Sequence, residues 1–591
     1  MLKLLKLLKP YILSLIALVG LVYVQVWATL KLPDYTAKIV NEGIVGENTQ
    51  LIIHTGLIML LVSLIGGVAM IIVSYLASKI AAGYTKNLRE KLFSKVESFS
   101  LTEFNKFSTA SLITRSTNDI QQIQTVLIML LRLGLMAPIM GVGAVINAYA
   151  LAPHMTWLMA VAVGAIFVII TILFTIALPK FKQLQKMVDQ LNLITRQILT
   201  GLRVIRAFNT EKSEESKFDD ANTKLTALNL FVNRLMVIMQ PIMMLIFNFT
   251  ALATIWVGAH LIDSGDLAIG NMMAFLQYSM QVIMSFLFLS IIFIMVPRAS
   301  VSIDRISEVI ATEPSIKDPI KSKKITNGIG KIEFKNVYFS YPGADIPVLE
   351  DISFDAIPGQ TTAFVGSTGS GKSSIINLIP RFYDVVSGEI LIDNINIKDI
   401  TQDELWHKIG YVPQKGVLFS GTIESNIKYG APNATDDEVS RAAKIAQATE
   451  FINTFPEKYR TPISQGGTNI SGGQKQRLSI ARAIIRKPEI YIFDDSFSSL
   501  DFKTDSLLRN SLKSETKNKT VLIVAQRIST IMDAQKIIVL DQGKIVGQGS
   551  HNELMKNCQV YNEIASSQLS EDELRADKRN TNAKLSMKES I

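Results

Sequence analysis

Six long apolar runs crowd into the first half of this 591-residue chain, at roughly residues 10–31, 51–78, 126–152, 155–179, 235–262 and 271–297. Each meets the roughly 20 residues that a helix needs to cross a bilayer's hydrocarbon core. Backbone at that depth finds no water to bond, so each run must be a helix that satisfies its own N–H and C=O groups. Six such lengths in one half of the chain argue against buried core helices of a soluble protein, and 591 residues are too many for one compact domain, since single cores stop growing near about 250–300 residues. The first run has a second reading as a cleaved leader, since Lys3, Lys6 and Lys9 resemble a charged n-region. Its length, and the lack of a small-x-small site around Trp27 and Leu30, favour a span.

Charge sets the orientation. Lys79, Lys86, Arg89, Lys91, Lys95, Lys106 and Arg115 lie between spans two and three, and Lys180, Lys182, Lys186, Arg196, Arg203, Arg206, Lys212, Lys217, Lys224 and Arg234 between spans four and five. The opposite loops are poor in base: one is the Pro153–His154 turn and the other carries Asp263 and Asp266. Positive charge stays inside, which puts both termini and the two long loops in the cytoplasm, with the chain in the cytoplasmic membrane. The amphipathic patterning of those loops predicts helices that continue well past the bilayer. Residues 1–10 read either as a basic amphipathic helix on the inner leaflet or as a charged flank of span one. The formal net charge of +9 is thereby accounted for beside anionic lipid, and no nucleic-acid partner is expected. Cys558 is the only cysteine, so there is no intrachain disulfide and no thiolate metal cluster.

The character changes near residue 311. Residues 1–310 are the transmembrane domain, 311–330 a polar linker, 331–568 an α/β domain of short β-rich runs and helical patterns, and 569–591 a charged, weakly ordered tail without aromatics. Within the α/β domain, Phe364-Val365 lead into Gly366, Ser367, Thr368, Gly369, Ser370, Gly371, Lys372 and Ser373, and Ser374 opens the helix that follows. This fits G-x-x-x-x-G-K-[ST] completely. Glycines let backbone N–H groups wrap phosphate oxygens, Lys372 neutralises the β/γ-phosphates and the Ser373 hydroxyl reaches Mg²⁺. The apolar strand Ile490-Tyr491-Ile492-Phe493 ends in Asp494, an acid for the same Mg²⁺, with Asp495 next to it.

Between these halves stands Asn469-Ile470-Ser471-Gly472-Gly473-Gln474-Lys475-Gln476-Arg477. It resembles the signature of ATP-binding-cassette (ABC) transporters, with Ile470 where leucine is usual. The other landmarks follow in order. Tyr341 is similar to the aromatic that stacks on adenine, Gln414 to the Q-loop glutamine, which also touches the metal, and Ser498-Ser499-Leu500-Asp501 to the D-loop. Residues 112–119 and 201–208 look like the coupling regions of exporters. The resemblance spans about residues 10–565. It implies a six-helix exporter domain with long cytoplasmic extensions, fused to a P-loop nucleotide-binding domain. It further implies ATP and Mg²⁺ as cofactors, and a pair of cassettes in which each ATP lies between one chain's phosphate loop and the other's signature.

Three further positions depart from the family. Its catalytic glutamate is Asp495 here, whose carboxylate falls about 1.5 Å short of the usual water-positioning place. Such a misplacement can cost about a hundredfold in rate. The switch histidine is Gln526, whose amide can donate to a phosphate but cannot become a cation. Gln465 stands where exporters often have a glutamate, which bears on coupling more than on chemistry. Two changes in one hydrolytic site would damage both sites of a homodimer. In a heterodimer only the site built on Lys372, Asp494, Asp495, Gln414 and Gln526 is damaged, while Ser471, Gly472, Gly473 and Gln474 complete a competent site on the partner. The pattern resembles the degenerate-site subunit of heterodimeric bacterial multidrug exporters, which implies a second exporter half as partner. Spans five and six carry methionines such as Met239, Met243, Met280 and Met284, phenylalanines, and neutral polar groups including Gln240, Asn248, Gln277, Tyr278 and Gln281. Such a surface suits lipophilic, including cationic, small molecules more than peptides or anions. Lipid and peptide exporters, a homodimer with weak ATPase, and a non-transporting regulator or ATP-gated channel whose degraded site only senses nucleotide are the competing readings.

Overall fold

The computed structural model describes residues 6–325 and 328–568; the first five residues and the charged tail at 569–591 lie outside the described residues. The chain forms two units. Met1–Glu97 with Ser108–Thr312 make one, and Ser98–Phe107 with Glu313–Ile591 make the other.

Among the described residues, six helices, all in the first unit, are long and apolar enough to cross a membrane: α1 (Leu7–Ile44), α2 (Thr49–Glu97), α4 (Thr109–Leu151), α5 (Pro153–Ala207), α6 (Glu211–Asp263) and α7 (Ile269–Ala311). The short helix α3 (Leu101–Phe107) lies between α2 and α4 in the chain but belongs to the second unit. The spans run past their apolar windows, as the patterning of the long loops predicts. α1 departs from expectation: its apolar run stops at residue 31, yet the helix continues through Pro33 and Asp34 and ends in a wide π turn, Ile39–Ile44. A proline removes one N–H but does not forbid a helix whose neighbours hold it. The core joins Leu18, Val22 and Val26 of α1, Val73, Ala77 and Ile80 of α2, Ala144 and Ala148 of α4, and Ala274, Phe275 and Tyr278 of α7. Small residues let backbones approach closely: a Cβ built on Gly66 would stand 3.1 Å from Ala28. α5 and α6 pack largely on each other and leave Phe167, Val237 and Trp256 exposed, as suits apolar surroundings.

The second unit is built on a six-stranded sheet of order β12-β11-β3-β10-β9-β6. Its strands are β3 (Thr361–Gly366), β6 (Ile409–Val412), β9 (Ile490–Asp494), β10 (Thr520–Val524), β11 (Lys536–Asp541) and β12 (Lys544–Gly549). All pairings are parallel except β11 with β12. A second, antiparallel sheet, β2-β1-β4-β5, comprises β1 (Ile332–Phe339), β2 (Leu349–Ala356), β4 (Ser387–Ile392) and β5 (Ile395–Asn396). β7 (Gly421–Thr422) and β8 (Pro462–Ile463) form a small ribbon. Alternation explains why the central strands read as unbroken apolar runs. Ala363, Val365, Tyr491, Phe493, Val521 and Ile523 fill a core on one face, and Phe364, Ile490, Ile492, Leu522 and Val524 fill a core on the other. A parallel sheet buried on both faces has no polar side to show in its sequence.

Candidate functional site

The parallel register gathers the site. Phe364, Val524 and Asp494 stand side by side on β3, β10 and β9, and Phe493 pairs with Val412 on β6. Residues just beyond these carboxyl ends therefore converge, which is where open α/β sheets bind ligands. β3 delivers the loop 366–371 and the helix α8 (Lys372–Leu378), β9 delivers Asp494 and Asp495, β10 delivers Gln526, and β6 delivers Gln414. The Lys372 ammonium donates to the carbonyls of Gly366 (2.8 Å) and Ser367 (2.7 Å). The Ser373 hydroxyl donates to Asp494 Oδ1 at 3.3 Å. Gln414 Nε2 and Gln526 Nε2 both donate to Asp495 Oδ2, at 3.2 and 2.9 Å. Asp495 holds a left-handed conformation, φ 43°, which aspartate tolerates better than most residues.

The loop fits phosphate. Gly369 and Gly371 take φ values of 86° and 96°, and a Cβ on Gly366 would collide with the Leu540 carbonyl. The first N–H groups of α8 have no partner within the helix and suit an anion. The Ser373 hydroxyl and the Asp494 carboxylate meet as a hard-oxygen pair fit for Mg²⁺. Burial lowers the proton affinity of Lys372, against the pull of Asp495 and Asp494. Burial likewise raises both carboxyl groups above the usual range; the Ser373 hydrogen bond opposes this at Asp494, and the Gln414 bond opposes it at Asp495.

Tyr341 lies at the same edge. Its hydroxyl is 2.9 Å from Ser374 Oγ, and its ring meets Phe339 and Tyr383 edge-on. The signature residues stand apart from this group. Ser471 caps α9 (Gly472–Ile485) in a reciprocal box with Gln474, and both Ser471 and Gly472 are exposed. Among the described residues, no hydrogen bond joins Ser471, Gly472, Gly473 or Gln474 to the phosphate loop. Within one chain they form an exposed helix N-terminus capped by its own Ser471 and Gln474.

The segment that the sequence reading missed is Ser98–Phe107. It joins the second unit through Glu103, whose carboxylate accepts from Ser100 N (3.0 Å) and Ser315 N (3.1 Å). Residues 112–119, read above as coupling-like, lie in the helical unit. There Arg115 bonds Glu308 (3.0 Å) and the Arg305 carbonyl, and Asp119 accepts from Ser302 (2.9 Å). The missed signal was the capping pattern Ser100-x-x-Glu103. Burial pushes the Glu103 carboxyl up, but hydrogen bonds from Ser100 and Ser315 outweigh it and hold the group below the usual range. Its contribution is therefore present above the ordinary glutamate pKa and lost as pH falls through the lowered folded value. Glu103→Ala is expected to spare the basal ATPase of the assembled transporter but to remove most of its stimulation by transported compounds. ATPase assays with and without such a compound check this.

A bundle of membrane-length helices followed by a P-loop nucleotide unit defines an ATP-driven membrane transporter. The ABC transporter transmembrane region matches residues 15–286, and the ABC transporter nucleotide family matches residues 349–498. An uncharacterised ABC transporter ATP-binding protein of Mycobacterium tuberculosis is 41% identical over 95% of this chain and 97% of its own length. Another, of Bacillus subtilis, is 37% identical over 96% and 98%. A bacterial Atm1-family ABC exporter solved with ATP bound superposes with a TM-score of 0.81 at 26% identity, covering 95% of this chain and 99% of that one. The chain belongs to the ABC transporter family as an exporter half, a multi-pass membrane protein that binds and hydrolyses ATP. Exporters of this kind work as dimers.

Proposed function

We propose that this chain is the subunit supplying the degenerate ATP site of a heterodimeric exporter, which moves lipophilic drugs or other amphipathic small molecules out across the cytoplasmic membrane. The observation that carries this is the arrangement at Asp495. The acid in the glutamate position is short, and two uncharged amides, Gln526 and Gln414, both end on its Oδ2. An acid so held is poorly placed to orient a water, and the group at the switch position cannot supply a positive charge. Lys372, Ser373 and Asp494 remain in place to bind nucleotide and Mg²⁺. The exposed signature at Ser471 and Gly472 remains free to complete a partner's site. Methionine-rich spans support the small-molecule reading, with Met244 and Met280 exposed and Met243 buried. Tyr278 supports it less than its sequence suggests, because the ring is buried and its hydroxyl already bonds Asp34.

The test is expression of the chain alone and with a second exporter half that has glutamate and histidine at the two positions. Slow ATP turnover alone, with turnover and dye accumulation in inverted vesicles restored by the partner, is expected. Fast hydrolysis and drug transport by the purified single chain would sink the heterodimer reading.

A further inference from the structure

The helical unit carries an unassigned cavity beside two charges at bilayer depth. Packing fixes the register of α1 on α2: a Cβ on Gly83 would meet Tyr11, one on Gly66 meets Ala28, and one on Gly43 meets Ile52. This antiparallel register sets Lys31 and Asp34 level with Ser63 and Leu60, inside the apolar run 51–78, where Leu57, Leu60 and Leu64 are exposed. Charged groups at such depth are costly and mark paths for ligands or ions. Asp34 is fully engaged, accepting from Lys31 Nζ at 2.9 Å and from the Tyr278 hydroxyl at 2.5 Å. Lys31 is not. Among the described residues Asp34 is its one hydrogen-bond partner, which leaves two ammonium N–H groups. Lys31 lines a cavity of about 650 Å³ between α1 and α4, with Tyr23, Trp27, Pro138, Ile146 and Asn147 in the rest of its wall. The volume is that of a site for a drug-sized molecule.

We infer that this cavity binds an amphipathic anion, its acidic head on Lys31 and its lipophilic body against Tyr23 and Trp27. Only the claim that such a ligand is carried rests on the export reading. The inference reverses the expectation that anions are disfavoured. In sequence Lys31 looks like the polar end of span one, whereas the helix continues and keeps it at depth. A free lipophilic carboxylate and the headgroup of an acidic phospholipid present the same chemistry.

The test uses the full chain in phosphatidylcholine nanodiscs. Trp157, Trp256 and Trp406 are replaced by phenylalanine, so that Trp27 is the only tryptophan left. Doxyl-labelled stearate, a tryptophan quencher, is compared with a doxyl-labelled alkyltrimethylammonium of equal length. Saturable quenching by the carboxylate alone is expected, with half-saturation raised about tenfold by Lys31→Gln and restored by Lys31→Arg. Ile146→Phe, which narrows the cavity without touching charge, should also weaken binding. If phosphatidylglycerol in the nanodisc competes, the bilayer is the source of the ligand; if it does not, a free amphipath is. Equal saturable quenching by the cation, unsaturable quenching by both probes, or no effect of Lys31→Gln overturns the inference. Dye accumulation in vesicles is read separately, so loss of this site and loss of the export reading are distinguishable.

Discussion

Glutamate in place of Gly472 is expected to lower ATP turnover of the assembled exporter by about a hundredfold or more, the scale of losing a transition-state anion contact. Lys372→Ala in the same chain should leave turnover within about tenfold of the unmodified assembly. The ordering inverts intuition, because Lys372 is the cation of this chain's own phosphate loop. It follows from which nucleotide each residue serves. Lys372 stands with Asp495 and Gln526, and on the degenerate-site reading proposed above its loss weakens ATP retention at a slow site. Gly472 opens α9 beside an exposed Ser471, and an added Cβ there meets nothing within 4 Å. The variant should therefore fold, and its carboxylate would face the γ-phosphate of the partner's nucleotide. Ser471→Ala removes a hydroxyl without adding charge and should fall between the two. Steady-state ATPase of the three assemblies, with bound nucleotide counted, checks the ordering. Equal losses would mean that the two sites are not asymmetric.

The second large effect is a gain. Asp495→Glu combined with Gln526→His should bring hydrolysis to the quiet site and shorten the life of nucleotide there. The added methylene returns the carboxylate toward the attacking water, and imidazole can carry the charge that an amide cannot. The double change also dissolves the present arrangement, in which Gln526 and Gln414 both donate to Asp495 Oδ2. Glutamate must adopt the left-handed backbone now held by aspartate, a strain of about 1–2 kcal/mol, so a thermal melt belongs beside the kinetics. Transport need not improve. A site that binds ATP and cleaves it slowly can hold one edge of a cassette pair closed through several cycles, while hydrolysis at the other edge releases the rest. Making both sites fast removes that persistent contact.

How much of this was legible in sequence depends on the separation of the parts. The membrane helices were, because each apolar run is contiguous and long. The phosphate site was too, because every member follows directly on an apolar strand, and parallel pairing brings those strand ends together whatever the distance between them in sequence. Two features were not. Ser98–Phe107 is short, and its place in the second unit shows in tertiary contacts such as that of Glu103 with Ser315. The depth of Lys31 was hidden because its apolar run ends there, and because Tyr278, which engages Asp34, lies on the sixth span. The roles of Tyr341, Gln414, Asp495 and Gln526 needed the family resemblance, since no local pattern around them specifies that chemistry.

The central claim is that the two ATP sites of the assembled exporter differ and that this chain builds the slow one. The direct measurement is release of nucleotide from each site of the unmodified assembly during turnover. Labelled ATP is loaded, chased with unlabelled ATP, and assigned to a site by crosslinking to this chain's phosphate loop or to the partner's. The label at Lys372 should persist through several turnovers while the label on the partner's loop empties with each. Emptying of both at the same rate would contradict the claim, even with export intact.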